Sequence, residues 1–327
     1  MNRIVTRCLC SAVALLGGLA ADAAQAGPPM KELLASGRVV FIGDSITYSG
    51  QYVEYIEAAL RLDNPKANID FIDLGLPSET LSGLSEPGHA GGQFPRPDVH
   101  ERLARILDKA KPKVLVLCYG MNDGIYHPFS EERFGKFKAG ILDVRREAEA
   151  RGVQVVHVTP PAFDPLPLKG RTLPAGLPEY RSPYAGYNDV LDRYSEWLVS
   201  QRLSGWRVLD IHGPMNRHLE QKRKKTPDYR LAGDGVHINE MGHWLIAQEF
   251  LRSLDLGVLA ENADPTAAFA SLPKGKQTLE LVQKRQRVLK DSWLTHVGHV
   301  RPGMASGKPL DEAEKEAAEL DAKLKSL

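Results

Sequence analysis

The chain has 327 residues, of which 43% are hydrophobic and 25% are charged, and its formal net charge at pH 7 is +1. These values are ordinary for a globular protein and allow one large domain with or without a smaller appendage. The near-neutral charge excludes the basic surface expected of a protein that attracts nucleic acid electrostatically.

The first residues have the pattern of an export signal. Arg3 and Arg7 precede an apolar stretch from Ala12 to Leu19, and Ala24-Gln25-Ala26 fits the small-x-small rule for signal peptidase. A membrane anchor is the alternative, but the apolar stretch is too short to span a bilayer. We therefore expect residues 1–26 to be removed and the mature protein to be periplasmic or secreted, without a membrane anchor.

Short apolar runs alternate with helical patterns along the main part of the chain. The runs carry apolar residues at consecutive positions, as expected when helices cover both faces of a sheet. They are Val39–Ile42, Ile69–Leu74, Val114–Leu117, Val153–Val158 and Trp206–Ile211. Strands that alternate with helices pair in parallel, so the pattern predicts an α/β fold, a three-layer α/β/α sandwich around a five-stranded parallel sheet.

Capping signals and apolar stripes predict the helices between these strands. One helix is expected to begin after Ser130 and to stop at Gly152, and another runs from Asp98 to the residue before Pro112. Two further stripes lie at 190–198 and 244–251.

Two long segments, 82–97 and 160–183, lack this periodicity and are rich in Gly or Pro. Both follow predicted strands, so both are expected at the edge of the sheet where ligands bind. Two interpretations are open: the segments wall a substrate cleft, or they are rigid surface loops.

Beyond the predicted main domain at 27–256, the composition changes to Lys- and Glu-rich helices, expected at 276–295 and 311–327. This C-terminal helical extension, 257–327, either packs on the main domain or mediates self-association. Its basic residues are interpreted as a solvated face, and they are Lys284, Arg285, Arg287 and Lys290.

Residues suited to nucleophilic catalysis lie beside these elements. Gly43-Asp44-Ser45-Ile46 follows the first strand, and Asp234-Gly235-Val236-His237 precedes the last helix of the main domain. A serine hydroxyl needs a base to take its proton as it attacks, and His237 is the best candidate. The carboxylate of Asp234 can accept the Nδ1 proton and fix the imidazole tautomer. The pattern predicts a serine hydrolase with Ser45, His237 and Asp234 as its catalytic residues.

With these motifs the chain resembles the SGNH (GDSL-type) hydrolase family, over residues 27–256. The resemblance implies a flavodoxin-like fold in which Ser45 is the nucleophile and also lends its N–H to the oxyanion hole. It further implies that Asn122, in Gly120-Met121-Asn122-Asp123, donates its side-chain amide to the oxyanion. No Gly-x-Ser-x-Gly elbow is present, which argues against the α/β-hydrolase fold.

The second block of the family departs from its usual pattern. The family carries a glycine just before an acidic residue and threonine, and that glycine's N–H lies in the oxyanion hole. Here Ser78 precedes Glu79 and Thr80, while Gly75 matches an earlier glycine of the block. Any residue except proline can donate a backbone N–H, so Ser78 and Gly75 are added to the predicted oxyanion hole.

Other reactive residue types are interpreted more simply. Cys118 ends a strand and is taken as a small core residue. Tyr119 and Tyr126 are interpreted as solvated loop residues, with contact to the substrate as the alternative. Asp123 either braces its loop or touches the ligand. His-x-x-His at 296–299 lacks further ligands, so no metal is assigned.

The sequence therefore predicts a carboxylic ester hydrolase that forms an acyl-serine intermediate and needs no cofactor. An exported enzyme with polar loops favours O-acyl (acetyl) esters of carbohydrates, and a lipase or lysophospholipase-type acylhydrolase is the alternative. A non-catalytic glycan-binding or scaffold protein is the alternative of another class, and the presence of all three triad residue types argues against it. The expected partner is a small-molecule or glycan ester, and the oligomeric state is left open.

Overall fold

The computed structural model of the protein describes residues 28–172 and 182–327 and contains one sheet. Its strands are β1 (Arg38–Gly43), β2 (Asp70–Asp73), β3 (Val114–Cys118), β4 (Gln154–Val158) and β5 (Arg207–Leu209). All neighbours pair in parallel, in the order β2-β1-β3-β4-β5. This is the flavodoxin-like order, so the predicted five-stranded α/β fold is confirmed. The predicted export signal, 1–26, lies outside the described residues.

Twelve α-helices connect and follow these strands within the described ranges. They are α1 (Met30–Leu34), α2 (Ser45–Ser49), α3 (Gln51–Asp63), α4 (His100–Ala110), α5 (Glu131–Glu149), α6 (Tyr187–Ser200), α7 (His212–Arg223), α8 (Glu240–Ser253), α9 (Gly257–Ala260), α10 (Pro265–Ala270), α11 (Gly275–Val297) and α12 (Leu310–Ser326). Among the described residues, none of these helices combines the length and apolar character needed to cross a bilayer.

The predicted helices of the main domain correspond to α4, α5, α6 and α8. Ser130 is the N-cap of α5, because its Oγ accepts a hydrogen bond from Arg133 N at 3.3 Å. The helices α3 and α7 are not identified by the apolar stripes. Most of α3 is buried, whereas α7 buries few apolar residues, so neither shows a clean amphipathic pattern.

The centre of the sheet explains the unbroken apolar runs. Val39–Ile42 of β1 and Val114–Val116 of β3 are all 0% exposed, which requires cover on both faces of the sheet. The chain passes from β1 to β2 on one side and then crosses to β3 on the other. The carboxyl ends of β1 and β3 therefore form the switch point at which open α/β sheets bind ligands.

The C-terminal extension packs on the outer edge of this sheet. Helix α11 contacts α3, β2 and α12. Arg285 Nη1 and Gln286 Nε2 each donate to the main-chain oxygen of Phe71 at 3.0 Å. Because an edge strand otherwise presents unpaired carbonyl groups, these contacts protect the edge of β2. Of the two arrangements predicted for the extension, the structure shows the one in which it packs on the main domain. The boundary at residue 257 stays a prediction.

The interpretation of Arg285 as a solvated residue is wrong. Its side chain is 3% exposed and lies 3.3 Å from Glu57 Oε1 and 2.9 Å from Asp70 Oδ1. Glu57 is itself 0% exposed, so its charge depends on such partners for compensation. Lys284 and Arg287 of the same helix are exposed, as predicted.

We expect Arg285→Ala to lower the free energy of unfolding by about 3 kcal/mol, because it leaves buried carboxylates without a main partner. The matched control is Arg287→Ala on the exposed face of α11, which should change stability by less than about 0.5 kcal/mol. Denaturant unfolding of both variants measures the difference. Equal losses in the two variants would contradict the assignment of Arg285 as a buried anchor.

Candidate active site

Ser45 is positioned by the tight turn that follows β1. A Cβ at Gly43 would lie 2.6 Å from the main-chain oxygen of Cys118, so only glycine allows the chain this close to β3. Asp44 then caps α2, its Oδ1 accepting from Ile46 N at 2.9 Å. Ser45 is therefore the first residue of α2, at the carboxyl end of a central strand.

Ser45, His237 and Asp234 form one hydrogen-bonded chain. Ser45 Oγ lies 2.9 Å from His237 Nε2, although 192 residues separate them in sequence. On the far side of the ring, His237 Nδ1 lies 2.6 Å from Asp234 Oδ2. Asp234 Oδ1 also accepts from His237 N at 2.8 Å, so both carboxylate oxygens orient the loop. The structure thus brings together all three predicted catalytic side chains.

The charges and hydrogen bonds of the three catalytic residues favour His237 Nε2 as the base. The hydrogen bond to Asp234 raises the pKa of His237 above its ordinary value, against the effect of burial. Burial acts to raise the pKa of Asp234, but hydrogen bonds from His237 outweigh it and hold the pKa of that carboxyl below its ordinary value. Asp234 is therefore ionised at neutral pH and stabilises the imidazolium. The side chains of His237 and Asp234 are 58% and 53% exposed, so the site is open to solvent.

A second carboxyl group lies near the imidazole. Asp44 is 3% exposed, and this burial raises its pKa to about 7, with His237 opposing the shift. Its negative charge in turn acts to raise the pKa of His237. The protonation of Asp44 near neutral pH therefore affects the base.

Ser78 lies in a tight turn after β2. Glu79 N donates to the main-chain oxygen of Leu76 at 3.2 Å, and Ser78 has a φ of 72°. With Pro77 in the second position and a left-handed residue in the third, these are the features of a type II turn, whose third position favours glycine. Ser78 adopts that conformation at a cost of roughly 1 kcal/mol. The hydrogen bond of the turn uses the N–H of Glu79 and not that of Ser78.

Gly75 has a different role from the one predicted. Its N–H donates to Asp73 Oδ1 at 2.8 Å and is therefore already used within the chain. A Cβ at Gly75 would lie 2.2 Å from Tyr48 N, so the missing side chain lets the loop after β2 approach α2. We therefore replace the prediction of Gly75 as an oxyanion donor by a packing role.

Asn122 is held in place after β3. Its side chain is 4% exposed, Nδ2 donates to the main-chain oxygen of Glu79 at 3.1 Å, and Oδ1 accepts from Tyr126 OH at 3.0 Å. A side-chain amide carries two N–H groups, so one remains after the bond to Glu79. This is the group that the family resemblance assigns to the oxyanion. Tyr126 is thus a buried positioning residue, and its interpretation as solvated is wrong.

Buried charges tie the loops after β2 and β3 together. Asp123 Oδ1 accepts from the main-chain N–H groups at 81–82, which decides between its two predicted roles in favour of bracing the loop. Glu79 pairs with Arg102 at 2.6 Å and accepts from Tyr119 OH at 2.6 Å. Tyr119 is therefore also buried rather than solvated. The sequence offers no local signal for this cluster, because its members come from three separate elements: the loops after β2 and β3, and α4.

Cys118 and the metal-binding residue types are the remaining candidates for a part in the predicted chemistry. Cys118 is 2% exposed, and burial raises the pKa of its thiol, so the prediction of a small core residue is confirmed. In residues 28–172 and 182–327, no group of three or more His, Cys, Asp or Glu side chains is arranged to hold a metal ion. The assignment of chemistry without metal or cofactor stays a prediction.

A cavity of about 520 Å³ lies beside the loop that carries the base. Asp164 lines it and donates its N–H to the main-chain oxygen of Gly235 at 2.9 Å. Asn188 and Asn216 also line it, with Asn188 Nδ2 donating to Asn216 Oδ1 at 3.2 Å. The first part of the segment predicted at 160–183 therefore forms one wall of a cavity that borders the loop of the base, and 173–181 lies outside the described residues.

Several solved structures are similar to this chain. A mutant of Axe2, an acetyl-xylooligosaccharide esterase from Geobacillus, matches with a TM-score of 0.50 at 19% identity, over 68% of this chain and 96% of that one. Unmutated Axe2, an acetylxylan esterase from Geobacillus stearothermophilus, matches with a TM-score of 0.49 at 20% identity, over 68% of this chain and 96% of that one. BT4096, a gut microbial diltiazem-metabolizing enzyme, matches with a TM-score of 0.47 at 20% identity, over 67% of this chain and 46% of that one. At these identities the likeness concerns the fold alone.

The comparison by sequence assigns the family. No curated protein matches the chain. The model of the GDSL-like lipase/acylhydrolase family matches residues 41–245, a segment that contains Ser45, Asn122, Asp234 and His237. Because this segment makes up more than half of the chain, the protein belongs to the GDSL-like lipase/acylhydrolase family and is a carboxylic ester hydrolase.

Proposed function

We propose that this enzyme removes O-acetyl groups from carbohydrates through an acyl intermediate on Ser45. The hydrogen-bonded chain from Ser45 Oγ through His237 to Asp234 carries the proposal. A serine aligned with an oriented imidazole is the arrangement that nucleophilic acyl transfer requires.

In the first half of the reaction, Ser45 Oγ attacks the ester carbonyl and its proton passes to His237 Nε2. Negative charge develops on the carbonyl oxygen, which accepts hydrogen bonds from the main-chain N–H groups of Ser45 and Ser78 and from the free side-chain N–H of Asn122. Collapse of the tetrahedral intermediate breaks the bond to the alcohol oxygen, which takes the proton from His237. The products are the free sugar hydroxyl and acetyl-Ser45.

In the second half, water takes the place of the alcohol. His237 Nε2 removes a proton from water as the water oxygen attacks acetyl-Ser45. The second tetrahedral intermediate collapses to release acetate, and the proton returns to Ser45 Oγ. The negative charge of Asp234 stabilises the imidazolium in both halves.

The polar side chains in the lining of this cavity support a carbohydrate as the alcohol part of the ester. Two asparagine side chains, together with Arg223 and Lys224, offer hydrogen-bond donors to hydroxyl groups. Arg223 also pairs with Asp164 at 2.5 Å, which joins two walls of the cavity. The exposure of His237 and Asp234 favours a substituent that projects from a polar chain, since it needs no deep acyl pocket.

We expect a fluorophosphonate probe to label Ser45 in the folded enzyme, because the activated oxygen attacks phosphorus as it attacks a carbonyl. Peptide mass analysis locates the adduct. Ser45→Ala should lose the label and turnover while keeping the same unfolding midpoint, and Ser49→Ala, on the same short helix, is the control. A labelled Ser45→Ala variant, or an unlabelled wild-type enzyme, would contradict the nucleophile assignment.

We expect kcat/KM to fall as the pH drops through the pKa of His237, because only the neutral imidazole accepts a proton. The pKa is raised by Asp234, so Asp234→Asn should move this limb to lower pH and reduce the maximal rate by up to roughly 10⁴-fold. Asp44→Asn keeps a side-chain oxygen for the cap of α2 but removes the titrating carboxyl group. A shift of the pH limb in this variant therefore measures the contribution of Asp44. An unmoved limb in Asp234→Asn would rule out the proposed orienting acid.

We expect acetylated oligosaccharides to be hydrolysed with higher kcat/KM than long-chain p-nitrophenyl esters. Asn216→Ala should raise KM several-fold for the oligosaccharides and leave p-nitrophenyl acetate unchanged, because that small ester does not reach the cavity. Gln221→Ala, an exposed position of the same helix, is the control. Preference for the long-chain esters would instead favour a lipase-type acylhydrolase.

A further inference from the structure

Helix α11 reaches the short helix that begins with Ser45. Lys290 Nζ donates to the main-chain oxygen of Tyr48 at 2.8 Å and lies 4.2 Å from the centre of the Tyr48 ring. The sequence interpretation of Lys290 as a solvated residue is therefore wrong. The adjacent residue, Asp291, accepts a hydrogen bond from Tyr48 OH at 3.0 Å. One turn of α11 thus binds both the main chain and the side chain of Tyr48.

Helix α2 depends on contacts of this kind. It has only five residues and ends at Gly50, which has a φ of 80°. So short a helix has little stability of its own, and the carbonyl groups of its last turn have no partners within it. Lys290 supplies a charged donor to one of these carbonyl groups, at the end where a positive charge is favoured.

The opposite side of α2 is also held. The loop after β2 approaches so closely at Gly75 that a Cβ there would lie 2.2 Å from Tyr48 N. Tyr48 therefore lies between the β2 loop and α11, three residues after the nucleophile. A displacement of Tyr48 moves the whole of α2, because no flexible linker separates it from Ser45.

We propose that Lys290 and Asp291 are positioning residues that hold Ser45 Oγ in line with His237, so that the C-terminal extension is part of the catalytic unit. This inference rests on the proposed role of Ser45 as nucleophile. The two residues lie beyond 41–245, the segment that matches the family, so the support for α2 described here comes from outside that segment.

The test compares Lys290→Ala, Lys290→Arg and Tyr48→Phe with Lys284→Ala, an exposed position of the same helix. Each variant is measured for kcat and KM on p-nitrophenyl acetate, for the rate of fluorophosphonate labelling at Ser45, and for its unfolding midpoint. Tyr48→Phe removes only the hydroxyl that donates to Asp291, so it tests the second contact between α11 and Tyr48 even if Lys290→Ala folds poorly.

Lys290→Ala is expected to lower kcat and the labelling rate by roughly tenfold or more in folded protein, with little change in KM, since the nucleophile is displaced while the rest of the site is intact. Lys290→Arg should restore most of this loss, Tyr48→Phe should show a smaller loss of the same kind, and Lys284→Ala should match wild type. Folded Lys290→Ala and Tyr48→Phe that label at the wild-type rate would overturn the positioning role alone. A wild-type enzyme that does not label at Ser45 would overturn the proposed function and this inference with it.

Discussion

The close approach of the main chain at Gly43 to the end of β3 is the constraint on which the site depends. A side chain at Gly43 would collide with Cys118 O, so the turn exists only because glycine stands there. The turn places Ser45 at the switch point between β1 and β3, and His237 meets it there from 192 residues away. The geometry of the catalytic chain is thus a consequence of sheet order and of one missing side chain.

Buried charged side chains hold the loops at the carboxyl edge of the sheet in position. Asp123 braces the loop after β2 through two main-chain N–H groups, and Glu79 joins the same loop to Arg102. Such groups are costly to bury without partners, so each has a defined position once its partners are in place. This rigidity is what an oxyanion hole requires, because its donors must be aimed before charge develops.

The strands and the triad are predictable from the sequence for physical reasons. Parallel strands covered on both faces leave unbroken apolar runs, and the nucleophile and base lie directly beside such elements. Ser78 was recognisable as a departure from the family pattern, and the structure adds that its φ of 72° is one that glycine normally adopts. What the sequence could not indicate are contacts set by long-range packing. Arg285 and Lys290 have the spacing of a solvated helix face, yet the first is buried against Glu57 and the second binds Tyr48.

The proposed mechanism depends on acyl transfer through Ser45. Acid quench of the enzyme during turnover of an aryl acetate, followed by peptide mass analysis, tests it most directly. We expect an acetyl group on the peptide that contains Ser45, formed at the rate of the initial burst of phenol and absent from Ser45→Ala. Turnover at the full rate with no acetyl group on that peptide, or with one on another residue, would contradict it.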